Sequence, residues 1–461
     1  MMYGEIWKTI RGKIMSNGLI ITNAYIVTGE VPNRVIKDGA VMIEDEHILD
    51  VGPEIDIQER YRGKYSEKID ACGRVVMPGL VNTHTHLYST MARGISLKTP
   101  SPTNFVEILE RLWWRLDKSL SLDDIYISAL IPLIECIKHG TTTIIDHHAS
   151  PFACESSLDK IEEAIYKTGI RASLCYEVSD RDGEAIAKKG IDENVRWLNK
   201  IDKIKSPFLS GLFGLHASLT LSDKTLVQCK EASMSLNSGF HIHVAEDLAD
   251  QDDSLEKSGR SVVHRLNDFS ILGPKTIAAH CVHIDEEEMQ ILLETETNVV
   301  HNPQSNMNNA VGACDVRKML QRGITLGLGS DGMTSSMFEE SRAAFLLYHH
   351  NMKDPSCGWQ EIPRMLLENN AKIARTALKQ KIGELSRGFL ADVIIMDYYP
   401  PTPLAADNLF GHFIFGLTQA TVDTTIVHGK VLMKKGELQH LDLKEISARC
   451  MEFSKKLWTR F

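Results

Sequence analysis

The sequence predicts an α/β fold: a closed (β/α)8 TIM barrel carrying a small β-sandwich domain built from both chain termini. Three observations carry this expectation. Between residues 75 and 335, eight strand-like segments alternate with helical patterns, which is the count of a closed barrel. The stretches 18–76 and 391–433 show the same short strands broken by turn residues, so the beginning and end of the chain look alike. With 461 residues, the chain is long enough for one large catalytic domain and a smaller satellite. A doubly wound open sheet is the competing architecture, but no GxGxxG follows an early strand.

In chain order, Leu19-Ile20-Ile21 and Tyr25-Ile26-Val27 read as one strand. Ala40-Val41-Met42-Ile43 and His47-Ile48-Leu49-Asp50-Val51 read as a hairpin around Glu44-Asp45-Glu46. The barrel strands are then expected at 75–86, 141–147, 171–176, 209–216, 240–245, 276–283, 297–301 and 324–331. Helical spacing fills the gaps, as in 122–138, which closes on His139-Gly140 with a basic last turn and a glycine just past the helix. A helical stretch near 359–378 precedes further strands at 391–396, 422–427 and 428–433, and residues 442–458 have the spacing of a last helix that covers an edge. The expected organisation is an N-terminal extension over 1–17, the β-domain over 18–76 and 380–440, the barrel over 77–379 and the C-terminal helix over 441–461.

Composition narrows the function. A net charge of -10 offers no basic face to a phosphate backbone, which argues against nucleic acid as a partner. There is no apolar run of about 18 residues for a membrane span, and the opening MMYGEIWKTIRGKIM is too polar for a secretory signal. Met15 offers an alternative start, which would make the first 14 residues a poorly ordered extension. Nine cysteines without a CxxC or any clustered spacing read as reduced thiols of a cytoplasmic protein.

The chemistry is concentrated at strand ends. In VNTHTHL at 81–87, His84 and His86 stand two residues apart on a strand and point to one face, where both can grip one ion. A lone pair of this kind is more often two unrelated histidines. Here, however, six of the eight expected strands end in an imidazole or carboxylate: His84 and His86, His216, His243 with Glu246, His280 with His283, His301, and Asp331. Each has a bland reading as a core or turn residue, but independent accidents do not place them all at the end of a barrel that carries active sites. Neutral imidazole and carboxylate suit one divalent metal, zinc first and ferrous iron as the alternative. The expected ligands are His84, His86, His243 and Asp331. Glu246 is placed to move protons, His280 to hold water or polarise the substrate, and Asp331 to accept a proton while bound.

These residues resemble the amidohydrolase superfamily, most closely the branch of S-adenosylhomocysteine deaminase, chlorohydrolases and guanine deaminase. The resemblance is carried by MPGLVNTHTHLYSTMARGI at 77–95, GLHASLTLS at 214–222, HIHVAED at 241–247, AAHCVHID at 278–285, VVHNPQSNMNN at 299–309 and LGLGSDG at 326–332. Within the branch, HLYSTMARG and DHHAS look like the SsnA group of aminohydrolases. Binuclear members bridge two metals with a lysine on the fourth strand; Leu212-Phe213-Gly214-Leu215-His216 has none, so the resemblance implies a mononuclear site. It also implies substrate contact for His216, with Arg93 and Asn306 as weaker candidates, a pocket lined by His147 and His148, and a homodimer. The expected activity is hydrolytic deamination of an aminated nitrogen heterocycle, such as a purine. The alternatives are ring opening of a cyclic amide or dechlorination by the same site, or a ligand-binding barrel without turnover; retention of Glu246 weighs against the last.

Overall fold

The computed structural model describes residues 18–461. The expectations for 1–17, including the alternative start at Met15, lie outside the described residues. The chain opens with β1 (Gly18–Val27), β2 (Val35–Glu44), β3 (His47–Pro53), β4 (Glu67–Asp70) and β5 (Val75–Pro78). The hairpin expected around Glu44-Asp45-Glu46 is present as the antiparallel pair β2 and β3.

The barrel strands follow as β6 (Leu80–Thr85), β7 (Thr141–His148), β8 (Arg171–Tyr176), β9 (Leu209–Gly211), β10 (Phe213–Ala217), β11 (Phe240–Val244), β12 (Ile277–His280), β13 (Asn298–His301) and β14 (Leu326–Leu328). They form two parallel sheets, β6 to β9 and β10 to β14. Parallel bridges join the sheets at both seams, Val178 to Leu215 and Thr85 to Asp331. The fourth expected strand is thus split at Leu212 into β9 and β10, one piece pairing with each sheet.

Two expectations are corrected. Val75–Pro78, expected as the start of the first barrel strand, belongs to the small sheet, where it pairs with β1. The chain changes sheets at Pro78-Gly79, where a Cβ on Gly79 would fall 2.2 Å from the Thr142 side chain, and β15 takes up the other edge of the strand. The sixth strand, expected to reach His283, stops at His280, because His280 and Cys281 have φ of 73° and 48° and turn the chain out of the ladder.

After the barrel come β15 (Val393–Met396), β16 (Val422–Val427), β17 (Lys430–Lys434) and β18 (Glu437–Leu438). β15 pairs antiparallel with β5, so the two ends of the chain share one nine-stranded sheet. Helix Leu122–His139 has a capping box from Ser121 and Asp124, and Gly140 follows it with φ of 74°. The last helix, Leu443–Arg460, packs on that helix: Trp458 Nε1 donates to the Met91 carbonyl at 2.9 Å, and Arg460 pairs with Asp124. Helix Asn370–Leu378 packs across β6, β9 and β14, with the Asn370 amide donating to the Val81 and Leu328 carbonyls. No helix among the described residues is long and apolar enough to cross a membrane.

Candidate metal centre

Three strand ends bring four side chains to one point. His84 and His86 sit at the end of β6, His243 near the end of β11, and Asp331 just beyond β14, bridged back to Thr85. His86 Nδ1 donates to the His147 carbonyl at 2.6 Å, and His243 Nδ1 donates to the His216 carbonyl at 2.8 Å. In each ring a carbonyl claims the Nδ1 proton, so Nε2 of the neutral imidazole carries a lone pair. Those two Nε2 atoms face each other at 3.1 Å. Two lone pairs at that separation repel unless a cation lies between them, and a divalent metal meets the requirement.

The other donors complete the set. His84 Nε2 is buried without a hydrogen-bond partner, while its Nδ1 meets His241 Nε2 at 2.9 Å. The ligand atoms of His84, His86 and His243 lie within 4.8 Å of one another, as do those of His84, His280 and Asp331. Asp331 Oδ1 is 3.3 Å from His86 Nε2, and its Oδ2 accepts from Ser305 Oγ at 2.6 Å. Burial holds His84, His241 and His243 well below the ordinary histidine range, in the neutral form that ligates metals.

Two carboxylates in this space are driven apart in acidity. Burial raises Glu246, and the negative Asp331 adds to this against the pull of His280. Burial also pushes Asp331 up, but the adjacent His86 and His280 together with hydrogen bonds from Ser305 and the Gly332 backbone outweigh it and hold the group below the usual carboxylate range. A carboxylate kept ionised beside one inclined to hold a proton is the arrangement of a ligand beside a proton carrier. Glu246 Oε2 lies 3.4 Å from His280 Nε2, and its Oε1 accepts from Asn309 Nδ2 at 3.1 Å. Ala245, His280 and Asp331 all have positive φ, a strain of about 1–3 kcal/mol each of the kind stored at functional sites.

The pocket above these groups opens to solvent. Beyond the metal-site residues its walls include Tyr88, Trp113, Trp114, Asp117, Glu177 and Arg181. Asp117 and Arg181 form a buried ion pair, and Trp114 lies under the Arg181 guanidinium at 5.4 Å.

The Amidohydrolase family model matches residues 75–432. The chain belongs to the amidohydrolase family. This amidohydrolase is 33% identical over 447 residues to 5'-deoxyadenosine deaminase of Methanosarcina mazei, covering 96% of the chain and 99% of the relative. It is 32% identical to 5-methylthioadenosine/S-adenosylhomocysteine deaminase of Pelotomaculum thermopropionicum, with the same coverage. Among solved structures, an adenosine deaminase from Xanthomonas campestris with bound zinc superposes with a TM-score of 0.84 at 22% identity, over 96% of this chain and 98% of the other.

Within the amidohydrolase site, the residues singled out from sequence fall into two groups. His84, His86, His243, Asp331, Glu246 and His280 converge, and His216 lines the same pocket, with Nδ1 on Thr220 Oγ1 at 2.6 Å. Burial lowers His216 to about 4. Asn306 lies behind His280, its Oδ1 accepting from His280 Nδ1 at 2.8 Å, and is fully buried. Arg93 is half exposed and gives two hydrogen bonds to Glu135, at 2.5 and 2.6 Å, away from the pocket lining. His147 and His148 are also absent from the lining; His147 supports His86 from behind, and His148 Nε2 meets Ser150 Oγ at 3.0 Å.

Sequence reasoning missed Glu177, Asp117, Arg181 and the two tryptophans. Glu177 directly follows β8, so the strand-end rule that found the histidines would have found it too. The tryptophan pair at 113–114 lies in the helical segment between β6 and β7, where no strand end marks it.

Proposed function

We propose that this amidohydrolase binds one divalent metal ion, zinc before iron, through His84, His86, His243 and Asp331, and hydrolytically deaminates an aminated nitrogen heterocycle of the purine type. The observation that carries the reading is the pair of carbonyl-locked imidazoles with facing Nε2 atoms 3.1 Å apart, beside two carboxylates of opposed acidity. When bound there, such an ion acts as a Lewis acid and lowers the pKa of its water towards about 7.

The chain's own residues supply the rest. Glu246 carries one of the attacking water's two protons to a ring nitrogen and the other to the departing amine, so that water's oxygen remains on carbon and ammonia leaves. His280, fixed by Asn306, faces the oxygen that develops on the tetrahedral carbon, and Asp331 accepts a proton while it remains a ligand. His216 presents Nε2 to the ring, and Tyr88 with Trp113 offers aromatic edges and faces for it. Arg93, held by Glu135, takes no part. The adenine-containing substrates named for the relatives from Methanosarcina mazei and Pelotomaculum thermopropionicum support the heterocycle class.

The test is a metal assay joined to an ammonia-release screen over aminopurines, pterins and aminotriazines. Ammonia from at least one purine by zinc-loaded protein is expected. Metal-loaded protein that releases none from any of them overturns the reading. The unpaired state of all nine cysteines supports a reducing compartment, the cytoplasm. The apolar cluster of Ile21, Val41, Val76 and Val393 supports reading the nine-stranded sheet as a two-layered sandwich. Light scattering tests the homodimer implied by the sequence resemblance.

A further inference from the structure

Asp250 joins two turns of the main chain that lie just beyond the ends of β10 and β11. It stands in the first turn of helix Leu248–Ser258 and is 2% exposed. Its carboxylate accepts two backbone N–H groups: Oδ2 takes that of Ala245 at 2.9 Å, and Oδ1 takes that of Leu219 at 2.7 Å. Both donors are main-chain amides, so the direction of each bond is fixed by covalent structure. Ala245 is the single residue between the end of β11 and Glu246. Leu219 lies in the 3₁₀ turn Ser218–Thr220 that follows β10.

The two turns are held unequally. Arg265, itself 2% exposed, makes the 3₁₀ turn a fixed post: its Nη1 donates to the Ser218 carbonyl at 3.0 Å and to Ser218 Oγ at 2.7 Å, and its Nη2 to the Leu221 carbonyl at 2.7 Å. Ala245, by contrast, has φ of 44°, a left-handed conformation that a residue with a Cβ keeps only where its surroundings over-determine it. Hydrogen bonds on both sides of the residue do so here. Its carbonyl accepts from the Val282 and His283 amides at 3.1 and 3.0 Å, and its own N–H is held by Asp250. Rotation about Ala245 would swing the side chain that comes next, which is Glu246. A group that moves protons depends on such placement, since an error of about 1 Å can cost about 10²-fold in rate.

We propose that Asp250 is a positioning residue for proton transfer: by tying the Ala245 corner to the post at Ser218–Thr220, it aims the Glu246 carboxylate. The inference rests on the proton-carrying role of Glu246 in the proposed function. The metal ligand on this strand lies on the other side of the corner. His243 is held by ladder pairing with Ala217 and Ala279 and by its own bond to the His216 carbonyl, so its hold on a metal does not pass through Asp250.

The test uses the full-length, zinc-loaded protein and the aminopurine from which it releases most ammonia. Asp250→Asn keeps the shape of the side chain but sets an Nδ2 donor against one of the two N–H groups, so one of the bonds is lost. Its kcat is expected to fall about 10- to 100-fold, with KM within about twofold of the wild type and zinc content unchanged by elemental analysis. In a double variant with Glu246→Gln, Asp250→Asn is expected to lower the remaining turnover by no more than about twofold, because a residue that acts through another adds little once that one is disabled. Wild-type kcat in Asp250→Asn overturns the proposal, and a lower melting temperature beside it would make Asp250 a structural brace. Loss of zinc in Asp250→Asn also overturns it, as does a full second loss of turnover on top of Glu246→Gln. Should Asp250→Asn fail to fold, Asp250→Glu, which keeps both acceptors on a longer arm, carries the same comparisons. Wild-type turnover in Glu246→Gln sinks the proton-carrier reading itself, whereas a large loss there beside wild-type turnover in Asp250→Asn sinks the positioning role alone.

Discussion

The two walls of the active-site pocket are built on different terms. The metal wall is made from the ends of β6, β11 and β14, and its imidazoles are anchored from behind: His86 by a carbonyl of β7, His243 by a carbonyl of β10, and His84 by the His241 ring. The loop wall comes from the helical segment that holds Trp113, Trp114 and Asp117, together with Arg181 beyond β8. Among the described residues, Trp114 Nε1, Asp117 Oδ1 and both Nε and Nη1 of Arg181 are buried there without a hydrogen-bond partner. A wall whose orienting bonds are made internally is preorganised for one task. Both walls also keep buried atoms open, Nε2 of His84 and His280 on the metal wall and those of Trp114, Asp117 and Arg181 on the loop wall, and these are available for a ligand, since buried polar groups left unpaired cost about 1–3 kcal/mol each. On the proposed reading, the difference gives chemistry to the barrel and recognition to the loops, as expected where binding residues ride on segments positioned by a rigid scaffold.

The sharpest way to break this contrast is to cut each wall in turn. His243→Ala should abolish metal binding and activity together and lower the melting temperature, because metal binding free energy is linked to folding; elemental analysis and calorimetry read both. Glu246→Gln, on the same wall, should keep a full complement of zinc while turnover falls by about 10²- to 10⁴-fold, the range for general acid-base groups. Loss of metal in Glu246→Gln would show that a ligand had been taken for a proton carrier.

On the loop wall, Asp117→Asn should raise KM by about 10- to 100-fold, matching the roughly 1.5–3 kcal/mol of a charged hydrogen bond, with zinc content unchanged. A fall in kcat alone, with KM intact, would place Asp117 with the chemistry and erase the distinction between walls.

The smallest effect concerns the underside of the metal wall. Burial raises the Glu340 carboxyl from 4.5 to about 8, although Gln304 donates to both of its oxygens, and the neighbouring Ser305 holds Asp331. A carboxyl raised in the folded state contributes stability that is full below its unfolded value and is lost as pH rises through about 8. Glu340→Gln does not titrate, so its melting temperature should fall less than the wild type's between pH 5 and pH 8. Identical pH profiles for the two would show that Glu340 titrates normally.

How much of this was legible in sequence depends on how local each signal was. The strand at Arg171–Tyr176 runs as its residues predict, and His84 with His86 share a face because side chains on a strand alternate with period 2. The apolar run before them was less legible. Val75–Pro78 is as hydrophobic as a barrel strand, and hydrophobicity does not say which sheet takes a strand; pairing with β15, more than 300 residues later in the chain, decides that. Cys281-Val282 likewise reads as strand, and only the left-handed turn at His280 and Cys281 ends the ladder there. Arg93 stood in a motif beside the ligands, yet Glu135 on a neighbouring helix draws it away. Asn306, implied by the resemblance as a weaker substrate contact, instead takes its place behind the ring of His280.

By itself, then, the sequence determined the alternation of strands and helices, the donor types at the strand ends and the absence of a bridging lysine from the fourth strand, because each follows from residue identity and short-range period. Tertiary structure alone decided that two imidazole lone pairs meet at 3.1 Å, that Glu246 and Asp331 differ in acidity, and that Asp250 joins the Leu219 and Ala245 amides. Those properties depend on distances between strands far apart in the chain and on exclusion of water from the space between them, and neither is written in the order of the residues.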